Sequence, residues 1–283
     1  MKWQWFSIES QSGPSFGAFQ QSTAYGLAAR ASGGQVDLAC LTDGGQVLAR
    51  VQTLRRGALR VALRGPVWTV PLEARTRQTA LRRLARQTVA LVVQPEENSA
   101  AFGVIPLITG AHVALWDLTP EVVDLRASLA GKWRNALGAA ERRGLAISPA
   151  PAAALGPLTE VEARQRISRH YHALPASFTR ALPKDALRLW HWRRAGRCHA
   201  TMCFVRHGDW ATYHMGHADL IAREAGAHRV MLWQAALALR AEGVRVLDLG
   251  TVNTEAAPGL ARFKLGTGAA LHRLGPTSLV LPG

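Results

Sequence analysis

Val246-Leu247-Asp248-Leu249-Gly250-Thr251, followed after a short gap by Pro258-Gly259-Leu260-Ala261-Arg262-Phe263-Lys264-Leu265-Gly266-Thr267-Gly268, is the stretch on which the reading of this chain turns. An apolar run that closes on an acid and a glycine reads as a buried strand reaching its carboxyl end. The following Arg-Phe-Lys sets two cations around an aromatic ring. Folded together, these pieces bring the Asp248 carboxylate and the Lys264 ammonium near one strand end, where reactive groups tend to collect. The competing reading is a surface ion pair beside a solvated basic turn.

Working outward, residues 227–242 read as a helix and 197–206 and 210–217 as strands, with a helix expected over 183–194. Further upstream, Thr119-Pro120-Glu121 is the expected start of a helix over 120–143, which Arg142-Arg143-Gly144 would end. Thr159 with Glu162 three residues later is the expected capping box of a helix reaching about 173. In the first half, the alternating runs 34–41 and 46–51 flank Thr42-Asp43-Gly44-Gly45, a strong hairpin signal. Residues 59–63 and 89–94 add strands around an amphipathic helix over 72–87, and 15–31 looks helical. The expected class is α+β, with mixed, mostly antiparallel sheets flanked by helices and a domain boundary near residue 110, giving domains 1–110 and 111–283.

Composition narrows the function. The chain has 283 residues, of which 48% are hydrophobic and 19% charged, so it is expected to be globular rather than disordered or fibrous. No apolar run approaches the roughly 18 residues a membrane span needs, and Met1-Lys2-Trp3-Gln4-Trp5-Phe6 lacks a secretory apolar region, so a cytoplasmic address is expected. Three cysteines, Cys40, Cys198 and Cys203, do not make a disulfide framework. The formal net charge of +15 favours polyanionic partners such as nucleic acid, coenzymes or an anionic membrane face. A coding bias that favours Arg and Ala would raise the charge as well. Only Lys2, Lys132, Lys184 and Lys264 depart from the Arg habit.

Histidines and cysteines gather as His170-Tyr171-His172, Cys198-His199 with Cys203, and His214 with His217. None has zinc spacing, and no metal is expected. Arg223-Glu224-Ala225-Gly226-Ala227-His228 precedes a helix, where backbone amides could hold a pyrophosphate. A coenzyme A loop of GNAT acetyltransferases carries a small residue where His228 stands, so Arg223 and Gly226 are cofactor-binding candidates only if acyl-CoA is the cosubstrate.

Pieces spread along the whole chain resemble the Fem-type (FemABX) aminoacyltransferases, proteins of two tandem GNAT-like domains. They are Phe19-Gln20-Gln21-Ser22, Leu63-Arg64-Gly65-Pro66-Val67, Lys132-Trp133-Arg134-Asn135 with Ala140-Glu141-Arg142-Arg143-Gly144, Met231-Leu232-Trp233-Gln234-Ala235-Ala236, Leu247-Asp248-Leu249-Gly250, and Gly259-Leu260 with Phe263-Lys264 and Gly266. The chain departs from the family at Thr251, where a second glycine is usual. It is also shorter than the Gram-positive members and lacks a coiled-coil arm.

The resemblance implies that each domain is GNAT-like and that the last strand, 278–281, returns to the first domain. It further implies transfer of an amino acid from aminoacyl-tRNA to an amine acceptor, such as a membrane-associated peptidoglycan precursor, without a bound cofactor. It places Lys264 at the reacting centre with Phe263 beside it, Asp248 as a group that orients or deprotonates the amine, and Lys132 and Arg134 near phosphates. Tyr171 and Tyr213 are candidates for contacting the acceptor. Two alternatives remain at this stage: a GNAT-type N-acyltransferase using acyl-CoA on a small-molecule, lipid or polysaccharide amine, and a non-catalytic module that binds RNA or an anionic surface.

Overall fold

The structure is a computed structural model, and it describes residues 1–7, 17–97, 102–169 and 173–283. The chain forms two compact units, Met1–His112 with His272–Gly283, and Val113–Leu271.

The first unit is built on β1 (Lys2–Ser7), α1 (Thr23–Ala31), β2 (Gln35–Asp43), β3 (Gln46–Arg56), β4 (Leu59–Leu63), β5 (Val67–Trp68), α2 (Ala74–Ala85), β6 (Ala90–Gln94) and β7 (Val104–Ile108). Its sheet runs β1-β2-β3-β4-β6, then the chain's last strand β15 (Thr277–Val280), then β7, with β5 added on β3. Strand pairs are antiparallel except β4 with β6. The hairpin β2–β3 turns at Gly44-Gly45, as the alternation predicts, and Ser22 caps α1 by accepting the Tyr25 amide at 3.2 Å. Leu41, Val51, Leu84 and Leu91 fill the core between the sheet and α2. The return of β15 is enforced by register: Leu279 pairs with Val92 on one side and Ile105 on the other.

The second unit holds β8 (His112–Asp117), α3 (Val122–Ser128), α4 (Gly131–Glu141), β9 (Ile147–Pro149), α5 (Leu155–Arg169), α6 (Ala176–Arg180), β10 (Leu187–Arg194), β11 (Arg197–His207), β12 (Trp210–Ala218), α7 (Leu220–Ala225), α8 (Ala227–Ala241), β13 (Val246–Thr251), α9 (Pro258–Leu265) and β14 (Ala270–Arg273). The sheet order is β14-β8-β13-β12-β11-β10-β9; β8 with β13, β12 with β11, β11 with β10 and β10 with β9 pair antiparallel, and β12 with β13 parallel. Trp116, Met202, Phe204, Met231, Leu232 and Leu247 make a dry core under α8 and α4. Both units are therefore mixed, mostly antiparallel sheets with helices laid on them, an α+β class.

Several expectations are corrected. Residues 187–194 form a strand, not a helix, because once β11 supplies a ladder Leu187 and Leu189 are buried on one face of the sheet and Trp192 on the other. The helix expected over 120–143 is broken at Leu129-Ala130, both extended, where the Ala130 amide donates to the Gly266 carbonyl at 3.0 Å. Thr119 caps no helix; its amide and hydroxyl both donate to Asp117, and α3 starts later. Thr159 lies inside α5 and donates its hydroxyl to the Gly156 carbonyl, so the capping box does not form. Strands β1 and β7 were not anticipated. The part of the expected helix 15–31 before residue 17 lies outside the described residues.

Candidate active site

The site is assembled where β13 ends. Parallel pairing of β12 with β13 runs over Trp210↔Val246, Ala211↔Leu247 and Thr212↔Asp248. Asp248 is 2% exposed, and its Oδ1 accepts the Gly250 amide at 2.7 Å. Gly250 then takes φ +77°, a left-handed conformation in which any side chain is strained. A Cβ there would also lie 3.6 Å from Lys264 Nζ. The backbone thus leaves the strand sharply and makes room for the ammonium.

Lys264 arrives on α9 and is 6% exposed. Its Nζ donates to the Thr251 carbonyl at 2.8 Å. Burial pulls its pKa from 10.5 down to about 8, and the Asp248 charge works in the opposite direction. A group so placed carries a proton at neutral pH yet can release it, which an arginine would not do.

Next to it in sequence, the Phe263 ring meets Trp133 of α4 with centroids 6.2 Å apart, and Trp133 Nε1 donates to the Phe263 carbonyl at 3.0 Å. The His228 ring lies on the other side of Phe263, 6.4 Å away. Trp133 and Phe263 line a cleft of about 800 Å3 whose apolar wall also includes Pro258 and Leu265. Lys132, Arg229 and Arg262 line the same cleft. Arg229 Nε is buried and has no hydrogen-bond partner among the described residues. A desolvated guanidinium donor without an acceptor carries a penalty that a bound anion would remove.

A polar cluster adjoins this region. His214 Nε2 lies 2.9 Å from Thr179 Oγ1, and burial pushes its pKa down to about 4. His228 Nε2 lies 2.9 Å from the His217 carbonyl, and its pKa is likewise pushed down to about 4, by burial first. Both imidazoles are neutral at pH 7. His228 must therefore carry its proton on Nε2, the nitrogen that donates to the carbonyl. Among the described residues, no group of three or more His, Cys, Asp or Glu side chains converges as a metal site.

The structure brings Lys264, Asp248, Phe263 and Lys132 into one region. It does not bring Arg134, which is exposed and donates to the Ala127 carbonyl at 2.9 Å. Tyr213 is half-buried on β12 with its ring 5.6 Å from Phe204, outside the residues lining the cleft. Tyr171 lies outside the described residues. The segment Arg223 to His228 joins two helices rather than a strand and a helix. There the Gly226 amide donates to the Arg223 carbonyl, and Arg223 Nε donates to the Ala218 carbonyl. Gly226 is required by its φ of +76° and by the approach of α4, since a Cβ would fall 2.9 Å from Ala140 Cβ. Both cofactor candidates are thus engaged by the fold. Arg229, missed from sequence, had no signal beyond being one arginine among many.

Comparison with known proteins decides the family. A model described as the acetyltransferase (GNAT) domain matches residues 125–270, more than half of the chain. The chain belongs to the GNAT acetyltransferase-domain family. Membership assigns this GNAT protein to the acyltransferases. A structure titled as FemX superposes with a TM-score of 0.78 at 12% identity, covering 100% of this chain and 98% of that one. The structure of L-PGS from Bacillus licheniformis matches with a TM-score of 0.55 at 13% identity, covering 92% of this chain and 87% of that one. A tandem GNAT protein from the clavulanic acid biosynthesis pathway matches at 0.52 and 14% identity, covering 98% and 92%. At these identities the likeness is one of fold, and the fold is the Fem-type tandem GNAT arrangement. No curated protein matches the sequence significantly. No described helix of this GNAT protein is long and apolar enough to cross a membrane.

Proposed function

We propose that this GNAT protein is a Fem-like aminoacyltransferase that moves an amino acid from aminoacyl-tRNA to an amine acceptor, such as a peptidoglycan precursor, and forms an amide. The observation that carries the reading is the buried Lys264 ammonium, beside a ring-lined cleft edged by Lys132, Arg229 and Arg262. A nucleotide end offers what such a cleft accepts: a flat base for Trp133 and Phe263, and phosphodiesters for the three cations.

The chemistry is aminolysis of an ester. A neutral amine attacks the ester carbonyl, a C–N bond forms, and the carbonyl oxygen gathers negative charge. Collapse of that intermediate breaks the bond to the ribose oxygen, which departs with a proton, while the attacking nitrogen gives one up. Lys264 supplies the fixed positive group for the oxyanion and can hand a proton to the departing oxygen, because its pKa is near 8. Preorganised stabilisation of this kind contributes about 3 to 4 kcal/mol. Asp248 acts as the positioning residue: its Oδ1 is committed to the Gly250 amide, and its charge helps keep Lys264 protonated.

A second reading, N-acyl transfer from acyl-CoA, is favoured by the description of the matching family model. The test is one reaction series: purified protein with a peptidoglycan precursor, given either a pool of charged tRNA or acetyl-CoA. Mass spectrometry of the acceptor is expected to show an added aminoacyl group with a free amine from the tRNA arm. Product from acetyl-CoA alone would overturn the reading in favour of the second, and tRNA retention with no product from either donor would favour a binding module.

A further inference from the structure

A second depression of about 640 Å3 in the unit Val113–Leu271 is lined by Arg143, Trp192, Arg193, Arg194, Ile221 and Glu224, among others. These residues come from the end of α4, the end of β10 and the short helix α7. Arg143 donates to the Glu224 backbone carbonyl, and Arg193 donates to the Gly196 carbonyl. Neither partner is a carboxylate. Three guanidinium charges therefore face the single carboxylate of Glu224 in this lining.

Aliphatic side chains adjoin this lining: Ile221 belongs to it, and Leu220 precedes Ile221 in α7. Leu220 is 68% exposed and Ile221 is 44% exposed, consecutive at the start of α7. Their helix is firmly fixed, because Asp219 Oδ1 accepts the Ala222 amide at 3.0 Å and Asp219 Oδ2 meets His199 Nδ1 at 2.8 Å. The neighbouring acid is thus turned into the fold, while the aliphatic pair is left in water. Arginines alone would suit any phosphate. The combination of uncompensated guanidinium groups and adjacent exposed aliphatic side chains suits a surface with phosphates above and hydrocarbon below.

We propose that this face docks on an anionic lipid bilayer, with Leu220 and Ile221 entering the boundary between headgroups and acyl chains and Arg143, Arg193 and Arg194 meeting lipid phosphates. An RNA backbone would satisfy the arginines but offer nothing to the aliphatic pair. The inference is independent of the transfer reading, since it is tested without any substrate.

The net charge of +15 attracts any anionic vesicle, so the experiment compares positions rather than charges. Full-length protein is sedimented with vesicles of phosphatidylglycerol and phosphatidylcholine, and with phosphatidylcholine alone. The variants are Leu220→Gln with Ile221→Gln, Arg193→Gln with Arg194→Gln, and the charge-matched control Arg75→Gln on α2 with Arg86→Gln at its C-cap. All six positions are exposed, and unchanged far-ultraviolet dichroism and melting verify folding; the single Leu220→Gln variant is the milder form. Wild type is expected to bind the anionic vesicles and lose binding as salt rises. The aliphatic pair and the Arg193/Arg194 pair are each expected to lose about tenfold or more in partition, and the control less than about threefold. Equal losses in the control and the local arginine pair would overturn the proposal. So would wild-type partition of the aliphatic variant, or Arg193/Arg194 substitution that weakens binding of a single-stranded RNA oligonucleotide while leaving vesicle binding unchanged.

Discussion

The Lys264 ammonium donates to the backbone carbonyl of Thr251 at 2.8 Å, which ties the end of β13 to helix α9 across the intervening loop. Because the acceptor is a main-chain oxygen, the side chain at position 251 is not part of the contact. Thr251 can therefore stand where the Fem-type resemblance leads one to expect a second glycine. The left-handed conformation is needed one residue earlier, at Gly250, and there the glycine is kept.

Replacing this lysine removes activity and strands its acidic neighbour. Keeping Lys264 buried and charged at neutral pH is costly, as its drop from 10.5 to about 8 records, and the cost is roughly 3 kcal/mol. Lys264→Met removes that cost, but it leaves the Thr251 carbonyl without its donor, about 1 kcal/mol, and the buried Asp248 carboxylate without the cation beside it, about 3 to 5 kcal/mol. The variant is expected to be inactive and to melt at a lower Tm at pH 7. A Tm above that of the wild type would show that Asp248 does not depend on Lys264.

The same group sets the alkaline limb of the rate profile. If the ammonium form works, kcat falls as pH rises through about 8. A Lys264→Arg variant, always charged, is expected to be slow but to lose that limb. Rates measured from pH 6.5 to 9.5 with an acceptor amine whose own pKa lies outside that range check this, and identical limbs in both proteins would remove Lys264 from the titration.

Arg229 is expected to hold donor, not to take part in bond making. Its buried Nε has no partner among the described residues, so Arg229→Gln removes a donor available to a phosphate. The expected result is a KM for the charged donor raised about tenfold, with kcat within twofold and a shallower dependence of binding on salt.

Gly226 serves the joint of α7 with α8. Gly226→Ala forces a side chain onto φ +76° and against Ala140, and is expected to cost about 1 to 3 kcal/mol in urea unfolding. Arg223→Gln, by contrast, is expected to leave KM for the donor unchanged. A large, selective rise in KM for acyl-CoA in Arg223→Gln would restore the coenzyme reading of this segment.

Acid weakens the fold through two histidines. His214 and His228 titrate near 4 when folded and near 6.5 when unfolded, so the unfolded chain binds more protons between those values. Stability is fully present above pH 6.5 and declines as pH falls towards 4, by of order 1 to 3 kcal/mol for each histidine. Urea midpoints across this window are expected to flatten in His214→Gln, and an unchanged slope would show that the imidazole is not the group responsible.

Where a signal was local, it could be read from the chain. The alternation on both sides of Gly44-Gly45 specifies its hairpin, and the apolar spacing of 227–242 specifies α8. Asp248 at a strand end and Lys264 after an aromatic ring were also visible as types and spacing, though not their burial or their contact with Thr251. Signals that depend on a partner were misread. Leu187 to Arg194 has helix-compatible residues, and only the ladder with β11 makes it a strand. Helix 120–143 looked continuous because nothing in Ser128 to Gly131 announces that Gly266, far along the chain, will take the Ala130 amide. Arg229 was indistinguishable from the other arginines until the fold set it in the cleft wall.

Sequence alone thus determined the periodicities, the turns and the class of chemistry, because hydrophobic spacing and residue type are properties of neighbours within a few positions. Tertiary structure alone decided which cation is desolvated, which glycine answers to a packed helix, and which rings line the cleft beside α9. Those depend on contacts between residues as far apart as Trp133 and Phe263, and desolvation, which lowers the Lys264 pKa, exists only once such contacts exclude water.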